Sequence, residues 1–262
     1  MKIADSNCHL HFEECKGIFD DILKRAFSVG VEQVLLVGID PEDSKRALEI
    51  AEKHTQIFSS IGIHPQLADK YSIEDLFSLS DLLNDKVVEV GETGYDLYRR
   101  PDSMILQEKM FKAHIDFAHK YSLPLIIHDR DAHDHTVRIL DDNDAWSIGG
   151  VLHCFSGDMN MDSYVLSKGF YISISGVITY KNSDELKKIA SMVPLDLMLI
   201  ETDAPYLSPI PFRGRINEPA YLIYILKMLS EIKKISVEKI AEITSMNFKN
   251  LFLSRKKAHG GK

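Results

Sequence analysis

Short apolar or β-branched runs recur along the chain at "KIAD", "VEQVLLVGI", "IFSSIGI", "VVEVGE", "LPLIIH", "GGVLHCF", "GFYISISG" and "LMLIETD". Their length and composition predict eight strands. Between them lie stretches with apolar residues at three- and four-residue spacing, among them "FDDILKRAFSVG", "DSKRALEIAEKH", "QEKMFKAHIDFAHKYS" and "SDELKKIASMV". That spacing is the mark of amphipathic helices. Gly30, Pro124, Gly169 and Pro194 stand where such helices would stop, because glycine closes a helix in a left-handed turn and proline cannot extend one. Strand–helix alternation with no G-x-G-x-x-G turn predicts an α/β fold of the (β/α)8 TIM-barrel type, not a doubly wound nucleotide-binding sheet. Two further amphipathic stretches, "EPAYLIYILKMLSEIKK" and "SVEKIAEITSMNFKNLF", add C-terminal helices to the outer ring. A single barrel domain is expected over residues 1–255, with 256–262 a polar tail.

Length and composition agree with this. A chain of 262 residues, 45% hydrophobic and 27% charged, is long enough for one large core. No apolar run approaches the roughly 18 residues of a membrane span, and "MKIADSN" lacks the organisation of a signal peptide. Three cysteines, Cys8, Cys15 and Cys154, form no C-x-x-C pair. An odd, unpaired set fits a reducing compartment, so a cytoplasmic protein with no membrane partner is expected. The formal charge of −8 provides no overall attraction for nucleic acid. A polyanionic substrate would need local arginines or metal.

Active sites of such barrels form at the C-terminal ends of the strands. His9, His64, Glu92, His128, His153 and Asp203 all fall there. One histidine after a strand is usually a hydrogen-bonded structural imidazole. Six metal-ligand or acid–base residues ending six strands are brought to one axis, and together they predict a metal site. Imidazoles mixed with carboxylates suit Zn²⁺, Mn²⁺, Fe²⁺ or Co²⁺. Glu92, from a middle strand, can bridge two ions, and such ions activate water and polarise a phosphoryl or carbonyl oxygen. Asp203 can bind metal and accept a proton. A helix cap is the ordinary alternative for Asp203, disfavoured by Pro205 close behind it. Arg130, Arg213, Arg215 and His64 could hold an anionic substrate, Arg130 foremost. Strand alternation turns Cys8 and Cys154 away from the site into the layer beneath the helices. His114, His119, His133 and His135 are expected to be ordinary polar positions on helices. In "ADSNCHLH", Asn7, His9 and His11 share a face, but each step of two moves a side chain about 6.5 Å along the strand. That pairs Asn7 with His9 and leaves His11 beyond the rim, as an outer or substrate contact.

The segments "GETGYD", "PLIIHDRDA", "VLHCFSG", "LIETDAPYLSP" and "RGRINEP" resemble the motifs of the TatD family of metal-dependent deoxyribonucleases. The resemblance runs from "IADSNCHL" through "GIHP" to "ITSMNFKNLF", in family order and spacing. It implies a metal-hydrolase barrel that cleaves DNA phosphodiester bonds, often from a 3′ end, with Mg²⁺, Mn²⁺ or Zn²⁺ bound as one or two ions. DNA would then be the partner, as single strands or ends. Carried over by position, Glu92 looks like the bridging ligand, His128 and His153 look like ligands of one metal, and Asp203 resembles the ligand and general base. His64, Arg130 and Arg213 match positions lining the substrate phosphate. Family members commonly begin Asp-x-His-x-His; here Asn7 stands for the first histidine and His9 for the second, with His11 at a position usually acidic or amide. One firm metal on Glu92, His128, His153 and Asp203, with a weaker site near His9, is therefore expected; Asn7 and His11 stay open as ligands. Two other functions are compatible with the residues. One is hydrolysis of an ester or amide, such as removal of an amino acid from tRNA; the other is a non-catalytic barrel used as a scaffold.

Overall fold

The computed structural model describes residues 1–254; the tail expected over 256–262 lies outside them. Eight parallel strands form one sheet in sequential order: β1 (Ile3–Cys8), β2 (Val31–Leu36), β3 (Ile57–Ile61), β4 (Val87–Asp96), β5 (Leu125–Arg130), β6 (Gly150–Leu152), β7 (Tyr171–Ile174) and β8 (Met198–Ile200). The ring closes where the segment after β8 meets β1, with Asp203 N–H donating to the Asn7 carbonyl at 3.0 Å and Cys8 bridging Ala204. This is a (β/α)8 TIM barrel. Among the described residues, no helix is long and apolar enough to cross a membrane.

Among the described residues, nine α-helices alternate with or follow the strands: α1 (Phe19–Ser28), α2 (Pro41–Ala51), α3 (Ile73–Ser78), α4 (Met104–Tyr121), α5 (His133–Asp142), α6 (Met159–Ser167), α7 (Asp184–Met192), α8 (Leu222–Lys233) and α9 (Val237–Phe248). Local chemistry sets where they start. Asp40 accepts from Asp43 N–H just ahead of Pro41, Ser72 and Asp75 form a reciprocal capping box, and Asp158 accepts from Asn160 and Met161 N–H. Each cap occupies backbone donors that have no partner inside the helix. The six helices expected from periodicity are present. α5 carries His133 and His135, both expected on a helix, and the short or weakly patterned α3 and α6 are additions.

Two apolar layers result. Leu125, Ile127, Ile172 and Ile200 face outward against the helices. Ala4, Leu35, Val88, Ile126, Val151 and Leu199 form a separate inner cluster, closed by Phe248 at the end of α9 and by Leu251 and Phe252 in the π-helical turn that follows it. The barrel interior is thus an apolar plug below, and the next inward position along several strands is where the ionisable residues begin. Cys8 is buried in the outer layer. Cys154 departs from the alternation: β6 ends at Leu152 and Cys154 has φ of +43°, so the turn brings it to the rim of the central cavity. Its Sγ lies 3.2 Å from Ser175 Oγ, and burial pushes the thiol up to about 12, leaving it protonated and unreactive at neutral pH.

His114 also differs from expectation. It is fully buried in α4, where Nε2 accepts from Ile63 N–H at 3.0 Å and Nδ1 donates to the Met110 carbonyl at 2.7 Å. It anchors the backbone beside His64.

Candidate metal centre

The inward parity that buries Ile126 and Val151 continues two residues on to His128 and His153. Glu92 comes from within β4, His9 and Asp203 from just after β1 and β8, and His64 from the loop after β3. Gly91 and Gly94, flanking Glu92, both have positive φ, and a methyl group at either would overlap the backbone of β5, at Ile126 and His128 respectively. Those two glycines let β4 approach β5 closely enough to aim Glu92 inward.

Glu92 is buried and its two oxygens serve two sides of the site. Oε2 lies 3.3 Å from His153 Nε2, 3.4 Å from His64 Nε2 and 3.6 Å from His128 Nδ1. Oε1 lies 3.2 Å from His9 Nε2 and 3.1 Å from Asn7 Nδ2, and His9 Nε2 lies 3.5 Å from Asp203 Oδ1. Ligand-type side chains gather on two sides of this carboxylate, His64 and His128 on one and His9 and Asp203 on the other. Asp203 therefore sits on the His9 side, apart from the His128–His153 set with which the sequence grouped it. Its φ of +56° turns the chain there, and no helix starts at Asp203.

The outer nitrogen of each imidazole decides what the inner one offers. His9 Nδ1 lies 2.7 Å from the Val37 carbonyl, His153 Nδ1 is 3.3 Å from Glu201 Oε1, and His128 Nε2 is 3.5 Å from Asp96 Oδ2. The Val37 carbonyl only accepts, so His9 Nδ1 carries the hydrogen and Nε2 presents a lone pair; His153 Nδ1 stands between Glu201 Oε1 and the amide Nδ2 of Asn7 at 3.1 Å, and His128 Nε2 is buried without a hydrogen bond. His64 is the reverse of His9. Its Nδ1 accepts from Gln66 N–H at 3.2 Å, which leaves Nε2–H facing the cavity. Burial, reinforced by the neighbouring His128, lowers His64 to about 3, so it is neutral and a hydrogen-bond donor at ordinary pH.

Without a cation the cluster holds protons instead. Burial would lower His9, but the carboxylates of Asp203 and Glu92 carry it up to about 10. Burial likewise opposes charge on His153, and Glu92 and Glu201 raise it well above the usual imidazole range. Burial would raise Glu92; His153, His128 and His9 hold it far below the usual carboxylate range. Three imidazoles converging on one ionised carboxylate, with His128 Nδ1 and His153 Nε2 only 3.1 Å apart, form a donor set that fits a divalent cation.

The centre lies at the floor of a cavity of about 670 Å³. Arg130 lines it; Arg213 does not, because its guanidinium stacks on the Tyr180 ring at 4.5 Å. Arg215 is exposed in the same loop. His11 is turned away from the cavity, buried, with Nε2 2.8 Å from Asp43 Oδ2 of α2. Asn7 faces inward, and its Oδ1 is buried without a partner. His133 is paired with Asp129, itself a cavity residue. Glu201 and Asp96 were not singled out from the sequence. Parity could have found Glu201, two residues beyond inward Leu199, as His153 is beyond Val151. Asp96 has no comparable signal.

Residues 4–253 match the family described as TatD related DNase. The chain is 37% identical to the uncharacterized metal-dependent hydrolase YabD of Bacillus subtilis, over 95% of this chain and 98% of that one. It is 34% identical to the 3′-5′ ssDNA/RNA exonuclease TatD of Salmonella typhimurium, over 89% of this chain and 92% of the other. The crystal structure of YJJV, a TatD homologue from Escherichia coli, superposes with a TM-score of 0.89 at 30% identity, covering 95% of this chain and 97% of that one. With a match spanning nearly the whole barrel, the chain belongs to the family described as TatD related DNase.

Proposed function

We propose that this protein is a metal-dependent phosphodiesterase that removes nucleotides from DNA single strands or ends, working from the 3′ end. The supporting observation is Glu92, whose two oxygens stand between two sets of metal-ligand side chains. On the Oε2 side, His128 and His153 would hold one ion firmly. On the Oε1 side, His9 and Asp203 would hold a second more weakly, because Asn7 offers a neutral amide where an imidazole is expected. Mg²⁺, Mn²⁺ and Zn²⁺ are the candidate ions. When bound, the metal supplies an activated water and charge stabilisation on a phosphoryl oxygen.

The chain's own residues do the rest. His64 donates Nε2–H to a phosphate oxygen, and Arg130 approaches the same phosphate from the rim. Asp203 is the carboxylate of the cluster open to the cavity, with its side chain 16% exposed against 3% for Glu92. It accepts the proton of the attacking water. Glu201 and Asp96 keep His153 and His128 turned inward.

The test is a substrate panel of single-stranded DNA, aminoacyl-tRNA and cyclic amides. Nucleotide release from DNA that stops with EDTA and returns with Mn²⁺ or Mg²⁺ is expected. No release under any metal, or preferential cleavage of the tRNA ester, would overturn the reading. After exhaustive dialysis, the wild type should retain one tight metal equivalent and Asn7→His two. Two tight equivalents in the wild type would refute the unequal sites.

A further inference from the structure

The cavity mouth has two unlike walls. On one side, after β4 and β5, stand Tyr98, Arg99 and Arg130; on the other, after β1 and β8, stand Phe12 and Tyr206. In an eight-stranded ring β4 and β8 are half a circumference apart, so the walls face each other across the Glu92 centre. Tyr98 is 64% exposed and Tyr206 48%, unusual for large aromatic residues and wasteful of apolar area unless something covers them. The Arg130 guanidinium lies over the Tyr98 ring at 5.2 Å, giving a flat cationic and aromatic surface. On the opposite wall Phe12 stacks on His9 at 4.7 Å and meets Tyr206 edge-on at 6.4 Å, which fixes Tyr206 relative to a candidate ligand.

The arginines point the same way. Arg25, Arg46, Arg100 and Arg138 are all engaged by carboxylates, with Glu218, Asp43, Asp69 and Glu108 respectively. Arg99 and Arg130 are exposed at the mouth and, among the described residues, have no carboxylate within 4.0 Å; Arg213 and Arg215 are unpaired as well but do not line the cavity. In a chain of formal charge −8, two uncommitted arginines beside one exposed tyrosine wall make a local anion site.

We propose that the mouth is a two-sided cradle for an unpaired nucleic-acid strand. Tyr98 and Tyr206 stack one base on each side of the scissile phosphate, and Arg99 and Arg130 take the backbone phosphate on the Tyr98 side. A paired duplex hides its base faces and gains nothing from the tyrosines, whereas every unpaired base has a face to stack. This inference rests on the phosphodiesterase reading and adds to it the residues that select an unpaired strand.

The experiment compares steady-state hydrolysis of a short oligothymidylate with that of the same strand carrying abasic residues on both sides of the cleaved bond. On the base-bearing strand, Tyr98→Ala and Tyr206→Ala should each raise KM by about tenfold with kcat nearly unchanged, toward the low end of what one stacked base contributes. The Tyr98→Phe and Tyr206→Phe proteins should keep the wild-type KM. On the abasic strand, wild type and alanine variants should be alike, because the partner base is already gone. Arg130→Gln should raise KM on both strands and flatten the salt dependence by about one phosphate contact. Alanine variants that match the wild type on the base-bearing strand would overturn the inference alone. So would a loss of equal size on both strands, which would mark the tyrosines as structural. A wild type inert on every strand with every metal would instead refute the phosphodiesterase reading, and this inference with it.

Discussion

Replacing His114 by Gln removes a buried imidazole that the fold accepts in one protonation state. Nε2 accepts from Ile63 N–H and Nδ1 donates to Met110, so a second ring proton would point at another N–H. Burial lowers His114 from 6.5 to about 4, with the Met110 bond only partly opposing. The unfolded chain therefore binds this proton more readily than the folded one. The stabilising contribution is complete above about 6.5 and is lost as pH falls toward 4. At about 1.4 kcal/mol per pH unit, that gap is worth about 3 kcal/mol. The assay is urea unfolding of wild type and His114→Gln between pH 7 and pH 4, which subtracts every other titrating group. The wild type should be the more stable at pH 7, and its advantage should shrink by about 3 kcal/mol on acidification. Midpoints that fall in parallel would refute the reasoning.

Other consequences follow from the centre. Metal uptake must displace protons from His9 and His153, both raised by carboxylates, so affinity should climb with pH and binding near neutrality should release about one to two protons per ion. Calorimetry of Mn²⁺ binding in buffers of different ionisation heat would measure this, and no proton release would contradict it. Asp203→Asn should lower kcat on single-stranded DNA by about 100-fold or more with thermal stability little changed; a near-normal rate would remove Asp203 from proton transfer. Gly94→Ala forces a methyl onto β5 in a backbone conformation that suits glycine, and should destabilise the protein by at least about 2 kcal/mol in thermal or urea unfolding. An unchanged midpoint would show that β4 can move away without cost.

How far the centre was legible depended on whether a residue obeyed strand parity. His128 and His153 follow Ile126 and Val151 by two, and the apolar runs before them are unmistakable, so their convergence could be read from spacing. Glu201 obeys the same rule but was overshadowed by Asp203 in "ETD". Cys154 broke the rule because a left-handed turn ended β6 at Leu152, something no periodicity encodes. His11 keeps the local order of the "HLH" segment, yet a carboxylate on α2, Asp43, decides where its ring goes. The sequence ranks Arg130 ahead of Arg213, but not for the contact that separates them: Tyr180 stacks against Arg213 outside the cavity, while Arg130 reaches Tyr98 at the mouth. Residues fixed by backbone geometry were readable. Those placed by contacts between distant loops were not.

The most direct measurement follows DNA cleavage and bound metal together, in wild type and Glu92→Gln, using a 3′-labelled single strand and elemental analysis of the same dialysed samples. If Glu92 joins the two ligand sets, its replacement lowers bound metal and cleavage together, and added Mn²⁺ restores little of either. A Glu92→Gln protein that cleaves DNA at the wild-type rate, or retains its full metal content, would contradict a centre organised around this carboxylate.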